Sequence, residues 1–237
     1  MSFSQKNSLK EVTLASRIHA LISDFDGTLV QSEHLWPDLD RNYFTSVLGR
    51  ERWEDWEPRF AILKKTGLPM GGIMERLIQT YGLSKSAEEM KRGREDLLLA
   101  TYRQHLQPHD GALELLDFIR ANGLKLAIAS GMSLRMLEGA LAILGWRDRV
   151  HVIASTHELG HGKPSPSVFL LAAARLGFAP SECFVLENDE NGMKAAQSSG
   201  MPFVVIPDTE TRRETCRAAN LPCASNLRAV LAMLETF

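Results

Sequence analysis

Long apolar runs are missing from this 237-residue chain, and none approaches the roughly 20 residues that a membrane-crossing helix needs. The polar start, Met1 to Lys10, also lacks the apolar core of a secretory signal, so a cytoplasmic setting is expected. An excess of charge of either sign is missing too: 27 Lys and Arg face 29 Asp and Glu, for a net charge of -2. Nothing in that balance attracts a nucleic acid or an anionic membrane, and a small-molecule partner is the expectation. Cysteine is scarce. Cys183, Cys216 and Cys223 are an odd number without metal-ligand spacing, which argues against a disulfide framework and a zinc site. Cys183 lies in an apolar, strand-like run and should be a buried thiol. Repeats and low-complexity segments are absent as well, so a solenoid is not expected. What remains is an ordinary globular balance, 44% hydrophobic and 24% charged, with monomer as the expected state.

The apolar run His19 to Ser23 reads as a buried strand of a parallel sheet. Residues 1–16 before it read as a loose or helical extension. After it comes a long stretch without strand signal until about residue 124. Apolar residues recur there at helical spacing over Glu33–Leu48, Arg52–Lys65, Gly72–Tyr81 and Ser84–His105, with breaks at Gly49, Gly67-Leu68-Pro69 and Gly82. Four helices inserted after a first strand suggest a helical cap domain at 31–107, with the core domain at 1–30 and 108–237. Trp36, Trp53 and Trp56 fall in that insertion and are expected in its core rather than in a pocket.

From Pro108 onward the pattern alternates. Strands are expected at Leu124–Ala129, Val150–Ala154, Cys183–Leu186 and Phe203–Ile206. Helices are expected at 110–121 with Asp110 as N-cap, then at Ser133–Leu144, Ser167–Leu176, Asn191–Ser199, Glu210–Ala219 and Asn226–Leu234. The fold class is therefore α/β, a Rossmann-like doubly wound parallel sheet core carrying an inserted all-helical cap.

Chemistry gathers at the strand ends. Asp24 and Asp26 follow the first strand two residues apart, on one face of extended backbone, and Gly27 turns the chain behind them. Ser130-Gly131 follows the second strand, Lys163-Pro164 lies in a loop, and Glu187-Asn188-Asp189 ends a later strand. Taken singly, each has a plainer explanation: a solvated acidic turn, a helix N-cap at Ser130, a loop lysine at Lys163. Taken together at one sheet edge, they supply what phosphoryl transfer needs. A carboxylate attacks phosphorus, a second acid protonates the leaving oxygen, a hydroxyl and amides hold the phosphate, and an ammonium with a divalent cation offsets repulsion. Oxygen-only ligands select Mg2+.

Four segments, "DFDGT", "IASG", "GKPSPSVFLLAAARLG" and "VLENDENG", resemble in order and spacing the four motifs of the haloacid dehalogenase-like superfamily. The insertion resembles the cap of the subgroup containing phosphoglycolate phosphatase and β-phosphoglucomutase. That resemblance implies Asp24 as nucleophile, Asp26 as general acid and base, and Thr28, Ser130 and the Gly131 amide as phosphoryl contacts. Lys163 would bridge nucleophile and phosphate. Magnesium would be held by Asp24, the Asp26 carbonyl and the fourth-motif residues Glu187, Asn188 and Asp189. Dehalogenases of the superfamily lack the second aspartate, so Asp26 argues against dehalogenation.

The chain departs from the subgroup pattern in two places. Asn188 stands where an aspartate usually holds magnesium; an amide oxygen still coordinates a hard cation, but with one charge fewer the site should be weaker. Trp36 stands where the mutases carry a histidine, and Leu68 follows Gly67 where they carry a basic residue. The expected function is hydrolysis of a small phosphomonoester, a sugar phosphate or similar metabolite. A phosphosugar mutase is the alternative, and a non-catalytic binding protein on the same scaffold the second alternative. Lys64 and Lys65 are candidates for anion attraction. His109, His157 and His161 flank the site, and His161, beside Lys163, is the one expected to face substrate.

Overall fold

The computed structural model describes residues 18–207, 209–219 and 221–235, so the reading of residues 1–16 lies outside them. Five parallel strands form the central sheet: β1 (Ala20–Ser23), β4 (Lys125–Ser130), β5 (Val152–Ser155), β6 (Cys183–Glu187) and β7 (Phe203–Val205). Their order is β5-β4-β1-β6-β7. The chain winds outward from β1 to β5, then crosses back to add β6 and β7 on the other side. β1 thus sits at the switch point, where ligands meet the carboxyl ends of an open sheet.

Alternation along the strands feeds two cores. Leu21, Leu126, Ile128, Phe184 and Leu186 pack on one face with α5 (Ala112–Ala121), α6 (Leu134–Leu144) and α10 (Leu227–Glu235). Ala20, Ile22, Ala127, Ala129 and Val185 pack on the other, beneath Val168, Phe169 and Ala172 of α7 (Ser167–Leu176) and Ala195 and Ala196 of α8 (Glu190–Ser199). The small alanines let α7 and α8 approach the sheet closely. Burying each Leu, Ile or Phe of this kind contributes roughly 1.5–3 kcal/mol.

The insertion is helical as expected: α1 (Trp36–Leu48), α2 (Arg50–Lys65), α3 (Met70–Tyr81) and α4 (Ala87–His105). Gly49, at φ 80°, separates α1 from α2, and Ser86 caps α4 through a reciprocal box with Glu89. Tyr43, Phe44, Trp53, Trp56, Phe60, Met74 and Leu77 make its own apolar core.

Three expectations are corrected. The insertion is bracketed by two short strands, β2 (Val30–Gln31) and β3 (Gln107–Pro108), paired antiparallel; two residues are too few to leave a periodic signal. Asp110 does not cap α5. Gly111, at φ 87°, holds that place, and Asp110 instead accepts from Arg228 Nη2 at 2.8 Å. Trp53 and Trp56 are buried, but Trp36 is only part-buried and lines the cavity described below. Cys183 is a buried free thiol, as expected. No helix among the described residues is long and apolar enough to cross a membrane.

Candidate active site

A cavity of about 590 Å3 lies between the carboxyl edge of the sheet and the helical insertion. The sheet supplies its floor: Asp24, Asp26, Ser130, Gly131, Lys163 and Asp189. The insertion supplies the roof, with Lys64, Lys65, Leu68, Ile73, Arg94 and Leu98 among its residues. Thr28, Glu187 and Asn188 do not line the cavity; they stand behind the floor and organise it.

Lys163 is the centre of the floor. Its Nζ donates to Asp24 Oδ1 at 2.6 Å and also to Glu187 Oε1. Burial alone would lower the lysine, but the Asp24, Glu187 and Asp189 carboxylates outweigh it and hold the ammonium charged. Burial pushes Asp24 well above the usual carboxylate range, and Lys163 works against that rise. Glu187 is fixed from both sides, since its other oxygen accepts from the backbone amides of Asn188 at 2.9 Å and Asp189 at 3.4 Å. Gly192, on the first turn of α8, has to be glycine: a Cβ there would fall on the Glu187 carboxylate.

Asp26 is held by two hydroxyls at a single oxygen. Ser32 Oγ donates to Oδ1 at 2.5 Å and Tyr102 Oη donates to the same Oδ1 at 2.8 Å. Burial raises the Asp26 pKa, with those two hydrogen bonds opposing the rise. A carboxyl whose surroundings favour its protonated form suits a general acid.

Ser130 ends β4, and its Oγ accepts from the Met132 amide at 3.2 Å. It is not a helix cap; Ser133 caps α6. Thr28 Oγ1 donates to Asn188 Oδ1 at 3.3 Å, and Asn188 Nδ2 donates to Glu33 Oε1 at 3.2 Å. Arg212 Nη1 reaches the same Glu33 carboxylate at 3.3 Å. Asp189 caps α8 by accepting from Gly192 N at 2.6 Å.

Of the three histidines, His157 lines the cavity, where burial, followed by the charge of Lys91, lowers its pKa. His161 does not line it; its Nε2 meets Ser167 Oγ at 3.1 Å on an exposed loop. Lys64, itself exposed, is committed to the buried Asp40 at 3.3 Å, which also pairs with the buried Arg94.

Sequence reasoning passed over Tyr102, Glu33, Arg94 and Arg212. Tyr102 recurs at helical spacing on α4 and reads as a core residue, which by burial it is, at 1% exposure. Only the fold shows that its hydroxyl ends on Asp26.

A family profile described as haloacid dehalogenase-like hydrolase matches residues 18–200. The chain belongs to that family. It is 30% identical over 201 residues to hexitol phosphatase B of Escherichia coli, covering 84% of this chain and 87% of that one. It is also 30% identical over 214 residues to protein CbbY of Rhodobacter capsulatus, covering 86% and 91%. Against a bifunctional riboflavin kinase/FMN phosphatase of Arabidopsis thaliana it spans only 51% of that protein's length. Among solved structures, CbbY from Rhodobacter sphaeroides in complex with phosphate superimposes with a TM-score of 0.72 at 25% identity, covering 92% of this chain and 99% of that one. The family member described here is a hydrolase of phosphoric monoesters.

Proposed function

We propose that this hydrolase cleaves a small phosphomonoester, a sugar phosphate or similar metabolite, through a phosphoryl group carried on Asp24, and that it does so with Mg2+. The observation that carries the reading is the Lys163 ammonium, 2.6 Å from Asp24 at the floor of the cavity with Asp26 alongside. Relatives named as hexitol phosphatase and phosphorylated-carbohydrate phosphatase support the substrate class.

In this reading, an Asp24 carboxylate oxygen forms a bond to phosphorus as the ester oxygen leaves. Asp26 gives that oxygen its proton. Asp26 then takes a proton from the water that attacks the aspartyl-phosphate, releasing phosphate and restoring Asp24. Lys163 favours the ionised form of Asp24 and offsets its repulsion from the anionic substrate. Ser130 and the Gly131 amide hold the phosphoryl oxygens. Thr28, turned to Asn188, fixes that side chain rather than the substrate.

The donor set fits magnesium. An Asp24 carboxylate oxygen, the Asp26 carbonyl and the Asn188 amide oxygen are all hard oxygen ligands, and Mg2+ keeps several waters. Among the described residues, no group of three or more His, Cys, Asp or Glu has the geometry to hold a metal, so neutral oxygens and water would complete the shell. Glu187 would steady the set through Lys163 and the Asn188 amide, with Asp189 beside it. When bound, the cation would supply positive charge opposite the phosphoryl oxygens.

The mutase alternative needs a histidine where Trp36 stands. Trp36 packs edge-on against Tyr102 at 6.4 Å with Arg94 over its ring, and it offers no imidazole to move a proton. Phosphate release from p-nitrophenyl phosphate in the presence of magnesium, abolished in Asp24→Asn, tests the proposal. Activity surviving that change sinks it.

A further inference from the structure

Two hydroxyls converge on one oxygen of Asp26, and the second oxygen has no hydrogen-bond partner among the described residues. Both hydroxyls are donors to Oδ1, which therefore acts as an acceptor twice over. A proton on this carboxyl is directed to Oδ2, the oxygen left for the cavity that Asp26 lines. Ser32 sits one residue past β2, on a chain that runs beside Asp26 in any case. Tyr102 comes from 76 residues away, on α4, and is almost wholly buried at 1% exposure. Its ring is clamped edge-on by Trp36, whose indole in turn lies 4.9 Å beneath the Arg94 guanidinium. Arg94 is fixed by a buried pair with Asp40. The phenol thus has a rigid backing, and it hydrogen-bonds to Asp26 and to neither Asp24 nor Lys163.

We infer that Tyr102 is a positioning residue that holds Asp26 with its protonated oxygen toward the leaving group. The inference rests on the reading of Asp26 as general acid. Its consequence is selectivity by leaving group. An alkoxide needs the proton as the P–O bond breaks, whereas p-nitrophenolate departs unaided, so only the first substrate depends on where Asp26 carries its proton. A tyrosine that merely filled the core would affect both alike.

The experiment compares kcat/KM, which covers the steps through departure of the alcohol, for glycerol 1-phosphate and p-nitrophenyl phosphate. In Tyr102→Phe the ring and its packing remain and only the hydroxyl is lost. The expected result is a fall of about tenfold for glycerol 1-phosphate, a part of the 10²–10⁴ that general-acid catalysis supplies. p-Nitrophenyl phosphate should change by less than about twofold. An equal loss on both substrates, or no loss on either, overturns the inference. Should Tyr102→Phe not be recovered folded, Ser32→Ala removes the other donor to the same oxygen and must show the same selectivity; uniform loss overturns the shared-oxygen geometry. Asp26→Asn tests the underlying reading separately. Its failure to slow glycerol 1-phosphate more than p-nitrophenyl phosphate removes Asp26 as the acid, whatever Tyr102 does.

Discussion

Lys163 and Glu187 form an ion pair in which the carboxylate is 1% exposed and the ammonium 10%, and the same ammonium serves Asp24. One buried cation is therefore shared by two buried carboxylates. Neither carboxylate could stay ionised there without it, because desolvation favours the neutral form of both. The arrangement is as much structural as chemical.

Lys163→Met should for that reason fail twice. Removing one partner of a buried pair costs about 3–5 kcal/mol, here with two carboxylates left uncompensated. Denaturant unfolding should show that loss, and phosphate release should fall by at least about a hundredfold. Lys163→Arg should not rescue activity, since a planar fork cannot take the place of a point charge between Asp24 and Glu187.

Gly192→Ala should act on the site from behind. Alanine is ordinarily the better helix former by about 1 kcal/mol, yet here its Cβ would displace the Glu187 carboxylate from Lys163. Overpacking of this kind costs about 1–3 kcal/mol. A lower melting temperature together with reduced turnover is expected; a stabilised, fully active variant would contradict the packing described.

Asn188→Asp should change cation dependence. The Asn188 amide donates to Glu33 Oε1 at 3.2 Å, so an aspartate would set two carboxylates against each other. Without magnesium the variant should melt at a lower temperature than the parent. With magnesium its melting temperature should rise further than the parent's, because the added charge binds the cation more tightly. Equal magnesium shifts in the two proteins would count against Asn188 as a ligand.

Stability should weaken on mild acidification through His157. Burial, with Lys91 next, depresses its pKa below the ordinary 6.5, so the unfolded chain binds the proton more readily than the folded one. Its contribution is intact above about 6.5 and is lost as pH falls from there through the folded value, with a slope no steeper than about 1.4 kcal/mol per pH unit for one proton. His157→Asn should flatten unfolding free energy against pH over that window, leaving the contribution of His151, which burial also lowers.

The helices of the insertion and the strands of the sheet were legible because both obey local periodicities. The floor and the Glu187 behind it were legible for a related reason: Asp24, Ser130, Lys163 and Glu187 each sit at or just past the end of a strand or in the loop before a helix, and parallel strands bring such points to one edge. β2 and β3 were not legible, because a two-residue ladder between segments 77 residues apart leaves no pattern in either. Asp110 misled because it has a good capping side chain next to a glycine, and the choice between them turned on Arg228, which is supplied by the last helix.

Sequence alone determined which residues can do chemistry: the Asp24 and Asp26 carboxylates, the Lys163 ammonium, and the unusual amide at Asn188. The tertiary structure decided what state those residues are in. Which oxygen Asp26 presents depends on Tyr102 together with Ser32, and what Asn188 can offer a cation depends on Thr28 and Glu33. The partners Tyr102, Thr28 and Glu33 lie 76, 160 and 155 residues away, and separations of that kind are closed only by packing α4 onto the sheet and by pairing β6 beside β1. Residue type is a property of the chain, but burial and hydrogen-bond partners, which set charge and orientation, are properties of the fold.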